Sequence, residues 1–186
     1  WDDSEQRLTT LAKAKEQGKV RAIGGVVHYP EHFLEGLRRF PDLLEYMMAP
    51  VSMFAPLVIR EDRELAHALR AGDLGFMAIK ALGAYRDGEA NIRKLHPEGD
   101  EVEALEAKGL TIGKLAIKYL LQSDRVSTVV PTMNSIDEVL DDVSASGDGP
   151  LTEDEERFIQ IYREEGERTF SEIIPEDNYW INPWKV

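Results

Sequence analysis

Cysteine is absent from the 186 residues, which excludes disulfides, thiolate-bound metals, iron–sulfur clusters and a cysteine nucleophile together. A cysteine-free chain fits either redox environment, so the compartment stays open, with the cytoplasm the expected one. Long apolar runs are missing too. None approaches the ~20 residues that a bilayer-spanning helix needs, and the start has neither the basic stretch nor the apolar core of a secretory signal. A soluble chain is expected. Positive charge is scarce: 22 Lys and Arg stand against 35 Asp and Glu, a net charge of -13. A phosphate backbone or an anionic membrane is repelled by that balance, so neither nucleic acid nor membrane is an expected partner. The first residue is Trp rather than Met, as in a processed, truncated or partly read chain.

What is present is a hydrophobic content of 42%, enough for one domain with a real core. Residues Ser4 to Gln17 space Leu8, Leu11, Ala12 and Ala14 as an amphipathic helix, and Gly18 stops it. The β-branched and apolar run Val20 to Val27 reads as a strand. Pro30 then opens a helix carrying Phe33, Leu34, Leu37 and Phe40.

The pair recurs three times. Tyr46 to Ser52 is a predicted strand before a helix over Arg63 to Ala71. Gly75 to Lys80 is another, joined by a long polar loop to a helix over Ile112 to Gln122. Val126 to Pro131 is the last, and Ser135 caps a helix through Ser144 whose acidic first turn suits the dipole. Four strands apolar on both faces, each followed by a helix, predict an α/β fold with a helix-covered parallel sheet. The four units occupy residues 1–150. Thr152 and Glu155 have capping-box spacing for a closing helix, and an aromatic tail with Tyr179, Trp180 and Trp184 completes a second segment, 151–186, expected to pack on the first.

Several residue groups invite a sharper reading. His28 and His32 are four apart, but Pro30 places His28 before the helix, so no metal site is expected. Lys80 ends a strand, where a Schiff-base or phosphate-binding lysine could sit, although a structural role is the expectation. Tyr85 and Arg86 fall in the loop beyond it. Met47, Met48, Met53 and Phe54 read as core rather than as a ligand groove. The pair Glu164–Glu165 reads as a solvated helix face. The tail is too aromatic to leave in water, and either lids a pocket or covers an edge or partner.

Several phrases resemble the aldo/keto reductase family, in the family's order. Ala12 to Gly24, AKAKEQGKVRAIG, resembles the helix and fifth strand of its barrel, with His28 beyond, where one branch of the family also has a histidine. Ala78 to Gly83, AIKALG, resembles the seventh-strand phrase. Leu115 to Leu121 followed by Val129-Val130-Pro131 resembles the eighth unit, and Leu151-Thr152 with Glu155 resembles the start of the closing helix. The resemblance covers roughly residues 8 to 165. It implies strands five to eight of a (β/α)8 TIM barrel with their helices, that is, half a barrel, with a C-terminal helix and aromatic tail.

The resemblance also implies an NADP(H)-dependent carbonyl oxidoreductase whose Asp, Tyr, Lys and His all lie upstream of residue 1. No catalytic residue is expected here, and without the tyrosine acid the developing alkoxide is unsupported. The family's carboxamide-binding Ser-Asn pair falls on Val26 and Val27, its sixth-strand Gln near Met48 and its nicotinamide-stacking aromatic near Ile79. Its phosphate-gripping Lys-Ser falls near Thr132 and Met133, its Arg near Glu138 and its adenine-contacting Asn near Asp142. A 2′-phosphate meeting Glu138 is repelled. The expected cofactor residues are therefore Leu82, Gly83, Thr132, Met133 and Asn134, the last for the helix N-terminus after it.

Half a barrel leaves strand edges and an inner face to be covered. The missing N-terminal half, a second copy in an oligomer, or the tail could cover them. Two functions follow: the C-terminal part of a reductase, inactive alone, or a noncatalytic scaffold or binding subunit that has lost the cofactor.

Overall fold

Four parallel strands joined through helices build the centre of the chain. The computed structural model describes residues 2–60, 63–83, 85–86 and 89–173, and the aromatic tail with Tyr179, Trp180 and Trp184 lies outside them. In chain order come α1 (Asp2–Glu16), β1 (Gly24–Val26), α2 (Pro30–Arg39), β2 (Tyr46–Pro50), α3 (Glu64–Ala71) and β3 (Gly75–Ile79). After these follow a two-residue hairpin of β4 (Tyr85–Arg86) and β5 (Glu89–Ala90), then α4 (Asp100–Glu106) and α5 (Ile112–Leu121). The series closes with β6 (Thr128–Val130), α6 (Ile136–Ser144) and α7 (Glu153–Ile173).

The main sheet has the order β1-β2-β3-β6, every pair parallel. Its register sorts side chains into two faces, because residues paired across a parallel ladder point the same way. Met47 with Phe76, and Ala49 with Ala78, form rows that are fully buried. They meet Phe33 of α2, Leu65 and Leu69 of α3 and Leu120 of α5 in one core. The alternate rows, Val26–Met48–Met77–Thr128 and Pro50–Ile79–Val130, belong to the opposite face. Of these only Pro50 is buried. Met47 and Met53 thus fill the core as expected, whereas Met48 faces the open side of the sheet.

Two expectations are corrected. The first strand pairs only over Gly24–Val26, not from Val20. At Ile23 the carbonyl still accepts the Glu45 backbone N–H at 2.8 Å, but the Ile23 N–H goes to the Glu45 carboxylate at 3.1 Å, which Lys15 grips at 2.5 Å, so a side chain takes over half of the pairing there. The polar loop after β3 is likewise structured. It holds the hairpin, a 3-10 turn over Asn91–Lys94 and α4. Ile92, Leu95, Val102 and Leu105 anchor that segment in a second core with α5 and with Phe158, Ile159 and Tyr162 of α7. The apolar spacing of these residues is spread over several short elements, which hides it from a search for one periodic segment.

The capping box is present: Thr152 Oγ1 accepts from the Glu155 N–H at 3.3 Å, and Glu155 Oε2 accepts from the Thr152 N–H at 2.8 Å. Glu155 also faces Lys118 of α5, whose Nζ lies 2.8 Å from both its carboxylate oxygens and 3.4 Å from Asp148. Burial pushes Lys118 down, but Glu155 and Asp148 outweigh it and hold the ammonium above its ordinary value. This cluster ties α5 to the start of α7.

Candidate functional site

The C-terminal ends of the strands surround a cavity of about 240 Å³. His28 beyond β1, Lys80 beyond β3 and Pro131 and Thr132 beyond β6 contribute to its walls, together with Leu82 and Gly83. Parallel strands aim their carbonyl ends and following loops at one rim, which is why open α/β sheets and barrels place ligands there.

The turn after β3 forms the wall in detail. Lys80 has φ +60, the left-handed region that costs a non-glycine residue roughly 1–2 kcal/mol. Its carbonyl accepts the Gly83 N–H at 2.8 Å, and the Leu82 carbonyl accepts the Ile92 N–H at 3.1 Å. Ala81 and Leu82 are buried beneath, so the strained turn is held from below. Gly83, at φ +78, lets the chain pass close to Asn91; a Cβ there would stand 3.3 Å from the Asn91 Cβ.

Asn91 is a residue that sequence reasoning missed. It is fully buried behind this wall, and neither its carboxamide oxygen nor its nitrogen has a hydrogen-bond partner among the described residues. Only its position in a polar stretch was legible, and polar stretches are ordinarily solvated.

At the start of α6, Ser135 Oγ accepts from the Glu138 N–H at 3.1 Å as a regular N-cap. The Glu138 carboxylate folds back and accepts the Asn134 N–H at 2.6 Å. The Asn134 amide, just ahead of the helix amides expected to be open to an anion, is therefore taken by the chain's own carboxylate, and the Glu138 amide by Ser135. Beneath lies Arg93, 2.9 Å from Asp142 and 3.9 Å from Glu138. Burial pushes the Asp142 carboxyl up, against the pull of Arg93. Gly113 makes room for this guanidinium, since a Cβ would fall 2.5 Å from Arg93 Nη2.

Of the five cofactor residues expected, Leu82, Gly83 and Thr132 come together at the mouth cavity, and Met133 and Asn134 are not among its lining. Val26 is exposed at the rim and Ile79 lines the cavity, both apolar. No tyrosine lines the cavity among the described residues. Tyr162 lies in the second core, where burial and then Glu106 push its hydroxyl up to about 12. His32 stacks edge-on against Tyr29, and no cluster of three or more metal-ligating side chains of His, Cys, Asp or Glu occurs among the described residues. No described helix is long and apolar enough to cross a membrane.

The family model of the aldo/keto reductases matches residues 1–163. Among solved structures, an aldo-keto reductase of Bacillus halodurans in its apo form superposes with a TM-score of 0.58 at 22% identity, over 85% of this chain and 56% of that one. An aldo-keto reductase from a Medee basin deep-sea metagenome library gives 0.62 at 16% identity, over 88% and 55%. The aldose reductase of Schistosoma japonicum gives 0.55 at 16%, over 83% and 44%. The chain thus spans about half the length of the solved structures it matches. No curated protein matches it.

Proposed function

Because the chain belongs to the aldo/keto reductase family, we propose that it is the C-terminal half of a reductase barrel, contributing to a carbonyl oxidoreductase whose proton donor comes from the other half. In this reading residues 1–150 are units five to eight, and 151–186 are the closing helix and tail packed on them. The supporting observation is the sheet itself: four parallel strands, helices on one face, and an open row of Val26, Met48, Met77 and Thr128 on the other, above a cavity at the strand ends. Such a face and rim are what the interior and active end of a closed barrel require.

The family's nicotinamide cofactor is only partly matched. Leu82, Gly83 and Thr132 offer a wall at the mouth. The 2′-phosphorylated form does not fit the start of α6, where the Glu138 carboxylate takes the Asn134 N–H just ahead of the helix and Asp142 lies on the inner face. That mismatch favours a second reading, a scaffold or binding subunit that keeps the half-barrel and has lost the cofactor.

Titration of the purified chain with NADH and NADPH, alone and mixed with a first barrel half, separates the two. The reductase reading expects no binding to the chain alone and dinucleotide-dependent carbonyl reduction by the mixture. Micromolar binding of either dinucleotide by the chain alone would refute the scaffold reading, and such binding of NADPH would also refute the misfit argued for α6.

A further inference from the structure

We propose that Met48 and Met77 form a reversible peroxide-oxidation site that switches the open face of the sheet from apolar to polar. The inference does not depend on the half-barrel reading. It concerns side chains of this chain and a small oxidant, and it is measured on the 186-residue chain by itself.

The sequence has five methionines and no cysteine. Thiols, which ordinarily meet a peroxide first, are therefore missing, and thioethers are the sulfur that remains. The fold sorts the five by exposure. Met47 and Met53 are 1% and 0% exposed, each within one of the two cores. Met133, in the segment after β6, is 38% exposed. Met48 and Met77 lie between these extremes, half-buried on the open side of the sheet.

Register makes the middle two a pair. Met48 and Met77 are partners across the β2–β3 ladder, so their side chains leave the same face on strands about 4.8 Å apart. The row they share runs from Val26 to Thr128, both exposed, so open positions border the pair at each end. Their strand neighbours point the other way, and Met47, Phe76, Ala49 and Ala78 are buried in the core. One residue along β2 thus separates a sealed thioether, Met47, from an accessible one, Met48.

The chemistry balances with a hydroperoxide as the one co-reactant. A lone pair of the thioether sulfur attacks the terminal peroxide oxygen, and the O–O bond breaks. The proton of the transferred hydroxyl passes to the departing oxygen, which leaves as an alcohol, or as water from hydrogen peroxide. Sulfur is oxidised by two electrons and the peroxide is reduced by two. The product is a polar, chiral sulfoxide, which sulfoxide reductases return to the thioether, one enzyme for each epimer. With both sulfurs oxidised, Val26 is the last apolar side chain of the row, and the face holds polar groups that burial would penalise. The same change at Met47 or Met53 would disrupt a core instead.

The test treats the chain with dilute hydrogen peroxide near neutral pH and stops the reaction at intervals with catalase. Tandem mass spectrometry of peptides then locates the added oxygen atoms and separates the adjacent Met47 and Met48. We expect Met48 and Met77 to react at least about tenfold faster than Met53, with Met47 as slow as Met53. Fluorescence of a dye that binds apolar surface should fall in step with the two sulfoxides while circular dichroism holds constant, and the two sulfoxide reductases together should restore it. Met48→Leu combined with Met77→Leu, swaps that conserve volume, should abolish the fall, whereas Met133→Leu should leave it in place. If the double variant does not fold, the site-resolved rates in the unaltered chain decide alone. Met48 and Met77 reacting no faster than Met53, a dye response that survives in the double variant, or unfolding in step with their oxidation overturns the proposal.

Discussion

Glu155→Gln isolates the charge that joins α5 to α7. Gln keeps the shape, and its side-chain oxygen can still accept the Thr152 N–H, so the helix cap survives in part. What is lost is the anion opposite Lys118, a side chain only 3% exposed, from a carboxylate that is itself 13% exposed. Removing one partner of a buried pair leaves an uncompensated charge and costs roughly 3–5 kcal/mol. Asp148 remains 3.4 Å from Lys118 and is more exposed, which puts the expected loss near the lower end, about 3 kcal/mol. For a chain of this size each kcal/mol moves the midpoint by about 2–4 °C, so thermal unfolding should begin to show a drop of about 6–12 °C.

Adding Lys118→Met should recover much of that loss, because the charge left stranded is then gone. A coupling of at least ~1 kcal/mol is expected from the double-mutant cycle by urea denaturation. The pH dependence has a definite sign. Burial raises it, and Lys118 together with the hydrogen bonds from Thr152 more than offsets that, so Glu155 sits below its ordinary 4.5 in the folded chain. Its contribution is present above that value and fades as the pH falls through the lower folded one. Lys118 is raised, so its share is present below 10.5 and is lost on the alkaline side. The gap between wild type and Glu155→Gln should be widest across neutral pH and close in acid. Additive single mutants, or a gap that does not narrow in acid, would refute the account of this cluster.

Gly83→Ala forces a Cβ into the left-handed region and against Asn91, and should destabilise by roughly 1–2 kcal/mol in chemical denaturation. A neutral result would mean that the turn at the mouth relaxes freely. Asn91→Leu replaces two unpartnered buried polar atoms with apolar ones, and the free chain should lose no stability or gain about 1 kcal/mol. A clear loss would show that the carboxamide has a partner, such as ordered water, in solution. Tyr162, held at about 12, stays neutral where an unfolded tyrosine at 10 ionises. Stability should therefore fall as the pH rises above 10, and Tyr162→Phe should flatten that limb in pH-dependent melts.

Order and type of the main elements were legible because each strand and helix carries a period of its own. Ser135 and Thr152 were identified as caps from spacing alone, and both bonds are present. The segment after β3 was illegible for the opposite reason. Its hairpin strands are two residues long and α4 is seven, too short for a period to accumulate, and their apolar residues are held by a core assembled from distant helices.

The candidate site shows a different limit, which lies in what a residue type can reveal. At Glu138 the sequence predicted repulsion of a phosphate, a statement about charge, and the charge is there. Where that charge goes depends on geometry. The Ser135–Glu138 spacing is itself a capping-box signal, and the carboxylate used it to reach back to Asn134. Once that contact exists, the helix start has already satisfied part of what an anion would offer it. Binding a phosphate there would require displacing Glu138 as well as overcoming its field. The same helix turns an apolar stripe outward because its inward face is occupied by Arg93 and Asp142. The carboxylate folded over the helix start and the outward apolar side chains Ile136, Leu140 and Val143 are thus two sides of one arrangement of α6, and a substitution at Glu138 should alter the first while leaving the second intact.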